Sequence, residues 1–394
     1  MTERVLILGI DGYIGYPLAI HLLKRGYKVY GLDSLIRRQR VKNCGSDSLI
    51  PISDPRERER HLQSLGLADT TARTQLHDYY ITSKIISEYR PDTIIHLAEQ
   101  PSAPYSMKGI YAAAETQYEN ILGTLGLLWA MREHCPDAHL IKLGTMGEYG
   151  TPNCEIPEGM IPEGCIGDFG QGEWKHDCPM SGLMFPRSPN SFYHLSKVHD
   201  TYNIKFACDT WGLTSTDIMQ GIVFGSGIEP NTLEIELTRF DYDECFGTVI
   251  NRFCAQAIAD IPLTVYGSGK QIRGFLPLKD SIQCLTIALE NRPKVGEYRT
   301  FNQFESIYSI DYLAKMVAVE AKKLGIKTKI NKITNPRTEL DAHYYNPQHS
   351  ALEELGYIPT KGTNKEISNL ISLLLPYKSN VNKEVITPKI NWKS

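Results

Sequence analysis

Tyr193 and Lys197 are the residues of this sequence whose types and spacing are best suited to acid–base chemistry. On a helix, a spacing of four places both side chains on one face, one turn apart. A tyrosine with its ordinary pKa of about 10 is a poor acid or base at neutral pH, but a neighbouring ammonium group lowers that pKa. The pair could then exchange a proton with a substrate hydroxyl. The alternative is an ordinary amphipathic helix.

A glycine-rich turn near the start of the chain predicts a dinucleotide-binding site. A strand is predicted over residues 4–8, because the apolar run at residues 5–8 is typical of a buried parallel strand, and an apolar helix is predicted over residues 17–24. Gly9, Gly12 and Gly15 lie between them. Glycines here let the backbone approach a pyrophosphate, which would lie where the free N–H groups of the helix N-terminus point.

Asp33 is the carboxylate predicted to bind the adenosine ribose. It follows a second predicted strand, residues 28–32, which is where such a carboxylate is expected after the glycine turn. Asp33 favours NAD over NADP because it would repel a 2′-phosphate, whereas Arg37 and Arg38 nearby weaken that preference. The alternative for Asp33 is a solvated strand end.

The ends of the next predicted strands carry further candidate ligand contacts. These strands cover residues 93–98, 139–143 and 214–219. In an open parallel sheet, ligands bind beyond the carboxyl ends of the strands. The proline-punctuated loop at residues 99–104, Thr145 and Gln220 should therefore lie near the ligands. Asn120, in a helix predicted over residues 111–131, could brace the sheet or be a plain helix residue.

The order of the predicted elements indicates an α/β fold with a Rossmann-type, doubly wound parallel sheet and a smaller C-terminal α/β domain. We expect an NAD-binding domain over residues 1–222 and a mainly substrate-binding region over residues 223–394. Part of residues 250–285 should return to the first domain. Residues 151–190, rich in Pro, Gly and acidic residues, are predicted to form an inserted lid or hairpin. An oligomer contact or a surface decoration is the alternative.

Composition excludes several classes of function. The chain has 394 residues and a net charge of −3, which does not indicate a nucleic-acid-binding surface. No apolar run approaches the roughly 18–20 residues that span a membrane, and no signal peptide is apparent. Nine scattered cysteines without a Cys-x-x-Cys motif indicate reduced thiols and a cytoplasmic location. We predict no metal site, because the spacing of Cys154, Cys165, His176 and Cys178 is unlike the usual zinc motifs.

Two arginines in the C-terminal half are candidates for phosphate binding. Arg273 lies in a glycine-rich turn after a strand predicted over residues 262–266, and Arg337 follows Asn335-Pro336. A guanidinium group forms paired hydrogen bonds with phosphate oxygens. Each arginine, taken alone, could also be a solvated surface residue.

Together these motifs resemble the extended short-chain dehydrogenases/reductases that act on nucleotide sugars, and more narrowly the UDP-sulfoquinovose synthase family. The resemblance covers nearly the whole chain. The matching strings are residues 99–107, 142–153, 191–200, 241–243, 251–254, the turn around Arg273, 335–337 and 343–346. Three departures are His77 in place of a glycine before Asp78, Pro101 in place of an arginine, and a different insertion at residues 154–185.

The resemblance implies NAD as the cofactor and assigns contacts to it. Besides the three glycines and Asp33, the implied cofactor-binding residues are Tyr13, Ile14, Arg37, Asp78, Leu97, Ala98, Glu99, Asn120, Tyr193, Lys197 and Gln220. Asp78 would contact the adenine, with a helix N-cap as its alternative role.

The resemblance also implies the reaction, which joins UDP-glucose and sulfite to give UDP-sulfoquinovose. NAD⁺ takes a hydride from C4 while Tyr193, assisted by Lys197 and Thr145, takes the hydroxyl proton. Water is eliminated across C5 and C6, sulfite adds at C6, and C4 is reduced again. The related 4,6-dehydratases use an Asp-Glu pair after the threonine, but Met146 and Gly147 stand here. We expect His194 to serve as the acid–base group, with Glu148 second. A packed helix histidine is the alternative.

For the substrate, the resemblance implies that Arg273 and Arg337 bind the pyrophosphate. The phosphates and uridine would also meet Gln220, Val265 and Tyr266, and the glucose would lie against Gln100, Ser102, Thr145 and His194. We expect a homodimer or higher homo-oligomer. The rival functions are a UDP-glucose 4-epimerase, another NAD-dependent nucleotide-sugar epimerase or dehydratase, and a non-catalytic NAD-binding regulator.

Overall fold

The computed structural model describes residues 3–69, 71–152, 154–160, 187–229, 232–337, 339–340 and 342–392. The strands are β1 (Arg4–Leu8), β2 (Lys28–Leu32), β3 (Thr93–His96), β4 (His139–Thr145), β5 (Thr214–Gln220), β6 (Ile222–Phe224), β7 (Leu263–Tyr266), β8 (Ile272–Pro277), β9 (Tyr298–Gln303), β10 (Ser306–Ser309) and β11 (Ile330–Ile333). The α-helices are α1 (Gly15–Lys24), α2 (Ile36–Asn43), α3 (Pro55–Ser64), α4 (Tyr79–Tyr89), α5 (Ala103–Ser106), α6 (Ile110–Gln117), α7 (Gly123–His134), α8 (Phe192–Trp211), α9 (Val249–Ile258), α10 (Leu278–Glu290), α11 (Ile310–Lys323), α12 (Ala351–Glu354) and α13 (Thr363–Leu374).

A six-stranded parallel sheet, in the order β2-β1-β3-β4-β5-β9, forms the centre of the molecule. Its first strands are short apolar runs that are buried, as expected when helices cover both faces. The strand order reverses at β1, which lies between β2 and β3. Ligands of such sheets bind at this reversal, beyond the carboxyl ends of the strands. The predicted doubly wound α/β fold is confirmed.

The helix predicted over residues 111–131 is a longer, interrupted helix. It consists of α6, a π-helical turn at Tyr118–Leu122, and α7. The π turn contains Asn120, which is buried. A π turn rotates the following helix relative to the preceding one, and such turns often occur beside functional sites.

A second core lies in the C-terminal half. Helices α9, α11 and α13 pack against a parallel pair of strands, β7 and β11, and a three-stranded sheet, β10-β8-β6. Helix α9 belongs to this core, so of the predicted range 250–285 only the end, where α10 begins, packs with the NAD-binding half. The segment that returns comprises α10, which packs on the first core, and β9, which pairs with β5.

Three other features bear on the sequence predictions. Residues 74–76 do not form a strand: the end of β2 is bridged by Ala72, the next three residues are irregular, and residues 76–77 form a turn. Most of the predicted insertion, residues 161–186, lies outside the described residues. Across the ranges given above, none of the helices has both the length and the apolar character required to cross a bilayer.

Candidate active site

One cavity of about 440 Å³ runs along the carboxyl ends of the central strands to the C-terminal half. It brings together most of the predicted site residues. Those that line it are Gly9, Gly12, Tyr13, Ile14, Gly15, Asp33, Arg37, Leu97, Ala98, Glu99, Ser102, Thr145, Tyr193, His194, Lys197, Gln220, Tyr266, Arg273 and Arg337.

The glycine turn between β1 and α1 forms a close-fitting cradle at one end of the cavity. Gly9 has a φ of +86°, and a Cβ atom there would lie 2.9 Å from the Leu97 carbonyl carbon. A Cβ on Gly15 would lie 2.0 Å from the Gly9 oxygen. Side chains are thus excluded where a pyrophosphate would meet the start of α1. The cradle fits a dinucleotide.

Asp33 ends β2 and lines the cavity beside the glycine turn. Its carboxylate accepts hydrogen bonds from the backbone N–H groups of Asp11, at 2.8 Å, and Leu35, at 2.7 Å. Burial, followed by the charge of Asp11, raises the pKa of Asp33. These bonds fix the carboxylate where the ribose of a dinucleotide would lie.

The two arginines after Asp33 are both paired with carboxylates. Arg38 forms two hydrogen bonds to Asp11, at 2.6 and 2.8 Å, and Arg37 forms one of 2.7 Å to Asp241. Arg37 also packs on the ring of Phe246, with its guanidinium carbon 3.7 Å from the ring centroid. Because these charges are already compensated, the site favours NAD rather than the 2′-phosphate of NADP.

Tyr193 and Lys197 lie one turn apart in α8, facing the cavity. The Lys197 ammonium is 5.8 Å from the Tyr193 ring centroid and donates to the Leu143 carbonyl at 2.7 Å. It also pairs with Glu99. Burial lowers the pKa of Lys197 to about 8. Burial raises the pKa of Tyr193, opposed by the charge of Lys142 and a hydrogen bond with Thr145.

His194 lies beside this pair and presents a neutral imidazole. Its Nδ1 is 2.7 Å from Asn190 Oδ1 and 3.0 Å from Ser191 Oγ. A proton on Nδ1, which the Asn190 oxygen can accept, leaves the lone pair on Nε2. Burial, followed by the charges of Arg337 and Arg273, lowers its pKa to about 3. Nε2 points at Gly147, where a Cβ would lie only 2.2 Å from it. The geometry makes His194 a candidate base.

Two arginines lie against Tyr266 at the other end of the cavity, and Arg273 lines the same end. The guanidinium carbons of Arg252 and Arg337 are 5.3 and 5.5 Å from the Tyr266 ring centroid. Arg273 pairs with Glu339 at 2.5 Å. In the described part of the chain, neither Arg252 nor Arg337 has a carboxylate within ion-pair distance. Arg252 is buried and Arg337 is partly buried, and guanidinium groups without a carboxylate partner are suited to a diphosphate.

Two predicted cofactor contacts lie outside the cavity. Asp78 caps α4 by accepting a hydrogen bond from Ile81 N–H, and His77 lines the cavity instead. The Asn120 amide joins the π turn to the loop after β3, accepting from Gln100 N–H at 2.8 Å and donating to the Ser196 hydroxyl at 2.9 Å. The structure therefore does not bring either side chain to the cavity, because Asp78 caps a helix and Asn120 is bound to Gln100 and Ser196.

Three further predicted site residues do not line the cavity. Gln100 is fully buried and donates to Thr116 Oγ1 at 2.7 Å. Val265 faces the second core, because side chains alternate along β7 and place Tyr266 on the cavity side. Glu148 lies behind the cavity, where burial and the charge of Asp217 raise its pKa to about 8. It does not reach the cavity as an acid–base group.

Several cavity residues were not predicted. Arg252, Thr264 and Glu339 line it near Tyr266. The signal for Arg252 was its position near the start of α9 among mainly apolar residues, where a buried arginine requires a specific partner.

Within the described ranges, no group of three or more His, Cys, Asp or Glu residues is placed to hold a metal ion. Three of the four candidate zinc ligands lie in 161–186, outside those ranges.

Comparison with known proteins agrees with this arrangement. Residues 5–302 match the NAD dependent epimerase/dehydratase family. The chain is 44% identical to the UDP-sulfoquinovose synthase of Sulfolobus acidocaldarius, over 99% of this chain and 98% of that protein. It is 42% identical to the chloroplastic UDP-sulfoquinovose synthase of Spinacia oleracea, over 99% of this chain and 79% of that protein. The chain belongs to the UDP-sulfoquinovose synthase family.

Solved structures share the fold of this synthase family member, but their sequence identity to it is lower than that of the two synthases. A UDP-glucose 4-epimerase of Thermotoga maritima, solved with UDP-glucose, has a TM-score of 0.68 at 18% identity, covering 96% of this chain and 99% of that chain. A UDP-glucuronic acid 4-epimerase of Bacillus cereus, solved with UDP-glucuronic acid and NAD, has a TM-score of 0.68 at 20% identity, covering 94% and 99%. At these identities the likeness concerns the fold.

Proposed function

We propose that this chain synthesises UDP-sulfoquinovose from UDP-glucose and sulfite, using bound NAD⁺. The observation that carries the proposal is a single cavity that joins the glycine cradle, the Tyr193–Lys197 pair, His194 and the three arginines at the end that contains Tyr266. The 44% identity to a UDP-sulfoquinovose synthase over nearly both full lengths supports the same reaction.

The proposed NAD site lies between the glycine turn and Lys197. When bound, NAD supplies the oxidant that accepts a hydride from C4 of the sugar and later returns it. The turn before α1 would hold the pyrophosphate, and Asp33 would bind the adenosine ribose. Leu97, Ala98 and Glu99, which follow β3, line the same part of the cavity.

Tyr193 is the proposed base for the C4 hydroxyl. The ammonium of Lys197 lies 5.8 Å from the Tyr193 ring centroid, where its charge would favour the phenolate, and Thr145 lies close enough to hydrogen-bond Tyr193. The Thr145 oxygen already accepts from Gly147 N–H at 3.1 Å, which leaves its hydroxyl proton to donate. Thr145 can therefore orient the same sugar oxygen. Tyr193 holds the proton until C4 is reduced again.

His194 is the proposed acid–base group for C5 and C6. Oxidation at C4 acidifies the C5 proton, and the Nε2 lone pair of a neutral imidazole can remove it. The resulting imidazolium can protonate the departing C6 hydroxyl, which leaves as water. Sulfite enters as bisulfite: its sulfur forms the bond to C6 while its proton passes to the imidazole, which delivers it to C5. Gly147, in the place of a dehydratase carboxylate, leaves the room that this imidazole occupies.

The arginine end of the cavity is the proposed site of the UDP group. Arg252, Arg273 and Arg337 would bind the diphosphate, and Tyr266 lies where a uridine or phosphate could pack against its ring. Arg273, which pairs with Glu339 in the structure, would exchange that carboxylate for the diphosphate or be shared between the two.

We also propose a homodimer that forms through the interrupted helix α6–α7 and α8. Exposed large side chains form one stripe on these helices, namely Tyr118, Leu122, Leu125, Trp129, Tyr202 and Phe206. Spacings of three and four place them on common faces.

The proposed cytoplasmic location is supported by the free state of the seven cysteines that the structure describes.

Mass spectrometry of the products tests the reaction. Purified protein is incubated with UDP-glucose, with and without sulfite, and without any added reductant. We expect a UDP-sugar that carries a sulfonate, formed only with sulfite. UDP-galactose in both samples would indicate an epimerase, and loss of water without sulfonate would indicate a dehydratase. Either result would overturn the proposed synthase activity.

A further inference from the structure

Four buried charged side chains lie directly behind Tyr193. Glu99, in the loop after β3, pairs with Lys197 of α8. The other oxygen of Glu99 is 3.2 Å from the ammonium nitrogen of Lys142 on β4, which is 3.5 Å from Asp200 of α8. Asp200 follows Lys197 by three residues in α8 and acts on its charge. We call these four residues the charge ring.

The charge ring is almost completely shielded from water. The side chains of Lys142 and Asp200 are 0% exposed, and those of Glu99 and Lys197 are 3% and 5% exposed. Burying charges costs free energy unless they are mutually compensated. Two cations alternate with two anions here, so the ring is neutral overall. Such a costly arrangement beside an acid–base pair indicates a role in the chemistry.

The position of Lys142 in the ring does not follow from spacing along a helix, because Lys142 lies on a strand. It lies in a buried strand, three residues before Thr145, and its register partner on β5 is Asp217. Burial alone would lower its pKa, but Asp200, Asp217 and Glu148 raise it above the usual value. Lys142 therefore stays charged. After burial, its charge is the largest influence on the pKa of Tyr193.

We infer that the charge ring, and not Lys197 alone, governs how readily Tyr193 releases and regains its proton, which makes Lys142 and Glu99 positioning residues of the acid–base centre. This inference rests on the proposed function only in that Tyr193 is taken as the base. A positive charge from Lys142 favours the phenolate, and the negative charge of Glu99 opposes it.

Other charged and titratable groups face the ring from every packed element. They are His96 on β3, Glu148 after β4, Tyr193 on α8, Asp217 on β5 and, through Glu148, Arg187. Burial and the charges of Lys142 and Lys197 lower the pKa of His96, which keeps it neutral.

The test compares two substitutions that should shift the pH at which Tyr193 ionises in opposite directions. Lys142→Met removes a positive charge and should raise the pH at which Tyr193 ionises by about one unit or more. Glu99→Gln, which is nearly isosteric, removes a negative charge and should lower it by a similar amount. Lys142→Arg keeps the positive charge, so Tyr193 should ionise at a pH close to the wild-type value. Lys205→Met, which removes a lysine charge from α8 outside the ring, should leave it unchanged.

Two readouts follow the ionisation. One is ¹³C NMR of ring-labelled tyrosine in the protein without cofactor, with the Tyr193 signal assigned by its absence in Tyr193→Phe. The other is the pH dependence of nicotinamide reduction by UDP-glucose in the loaded protein. If Lys142→Met does not fold, Glu99→Gln carries the test.

Shifts of both variants in the same direction, or no shift in Glu99→Gln, would overturn the inference. A merely structural role would lower rates at all pH values without moving the titration. Wild-type protein that transfers no hydride from UDP-glucose would count against the proposed function. The NMR titration would still decide the role of the ring.

Discussion

Gly147 and His194 show how one small residue defines the chemistry of its neighbour. The imidazole Nε2 occupies space that a side chain at position 147 would fill. The acid–base group beside the threonine would then be an imidazole here, where the dehydratases have carboxylates. The absence of a side chain at Gly147 is therefore part of the proposed synthase chemistry.

We predict that Gly147→Ala separates the two half-reactions. The new Cβ would displace the imidazole, because it would lie 2.2 Å from Nε2. Sulfonate formation should fall by about 10²-fold or more, as expected for a lost general base. Reduction of nicotinamide by UDP-glucose, which depends on Tyr193, should persist. The measurement compares product formation by mass spectrometry with the absorbance of reduced nicotinamide.

Gly126→Ala is the matched control, since a Cβ at this position of α7 would make only ordinary contacts of 3.8 Å. It should change neither rate. Equal loss of both half-reactions in Gly147→Ala would contradict the separate role of His194.

We predict that UDP raises the pKa of His194. Without ligand, burial and the charges of Arg337 and Arg273 lower its pKa from 6.5 to about 3. The unfolded chain therefore binds more protons than the folded one between these values. His194 thus makes the folded state less stable as pH falls through that window. A bound diphosphate would offset the two arginines and shift the titration upward.

NMR of the imidazole nitrogens measures this titration, with the His194 signal assigned by its loss in His194→Gln. Saturating UDP should move the midpoint upward, while Arg273→Gln should move the midpoint of the free protein in the same direction. A midpoint that does not respond to bound UDP would place the diphosphate away from His194.

At the scale of elements, the π turn at residues 118–122 joins the interrupted helix to the active-site loop. Asn120 binds both the N–H and the carbonyl of Gln100 and reaches Ser196 on α8. One amide thus fixes the loop after β3 against the helix that carries Tyr193. This explains why Asn120 and Gln100 are buried beside the site rather than exposed to ligands.

We predict that Asn120→Ala destabilises the fold by about 2 kcal/mol or more, because it leaves buried polar groups of Gln100 and Ser196 without partners. The free energy of unfolding in urea measures the loss. Asn364→Ala, at an exposed position of α13, is the control and should cost less than about 0.5 kcal/mol. A loss no larger than the control would mean that water replaces the amide.

At the scale of the whole molecule, the exposed stripe on α6–α7 and α8 is the proposed dimer surface. Trp129 and Phe206 both lie close to Trp211, with ring centroids 4.9 and 6.4 Å from it. The aromatic surface is therefore continuous across the two helices. Its helices also carry Asn120 and the Tyr193–Lys197 pair, so dimer formation would stabilise the elements that position the site.

We predict that Trp129→Glu with Phe206→Glu converts a dimer into a monomer, because two buried charges would face each other across the interface. Sedimentation velocity measures the change. Val295→Glu, which places a charge on an exposed residue elsewhere, should leave the dimer intact. Wild-type protein that sediments as a monomer would contradict the proposed surface.

Local patterns of the sequence determined much of the fold and site. Strands β1 and β2 have the predicted bounds, and α8 places Tyr193 and Lys197 on one face as their spacing required. The glycine turn is likewise a local feature, since its conformation depends on the absence of side chains. The family, too, could be inferred from contiguous strings, and the comparisons confirm it.

Tertiary structure decided the features that depend on residues far apart in the chain. The sixth strand of the sheet comes from residues 298–303, long after the regular alternation ends. Side-chain direction along β7 selects Tyr266 over Val265, and the helix cap removes Asp78 from the cavity. The charge ring joins residues 99, 142, 197 and 200. Local propensity encodes conformation, but which distant side chains meet is decided only when the layers pack.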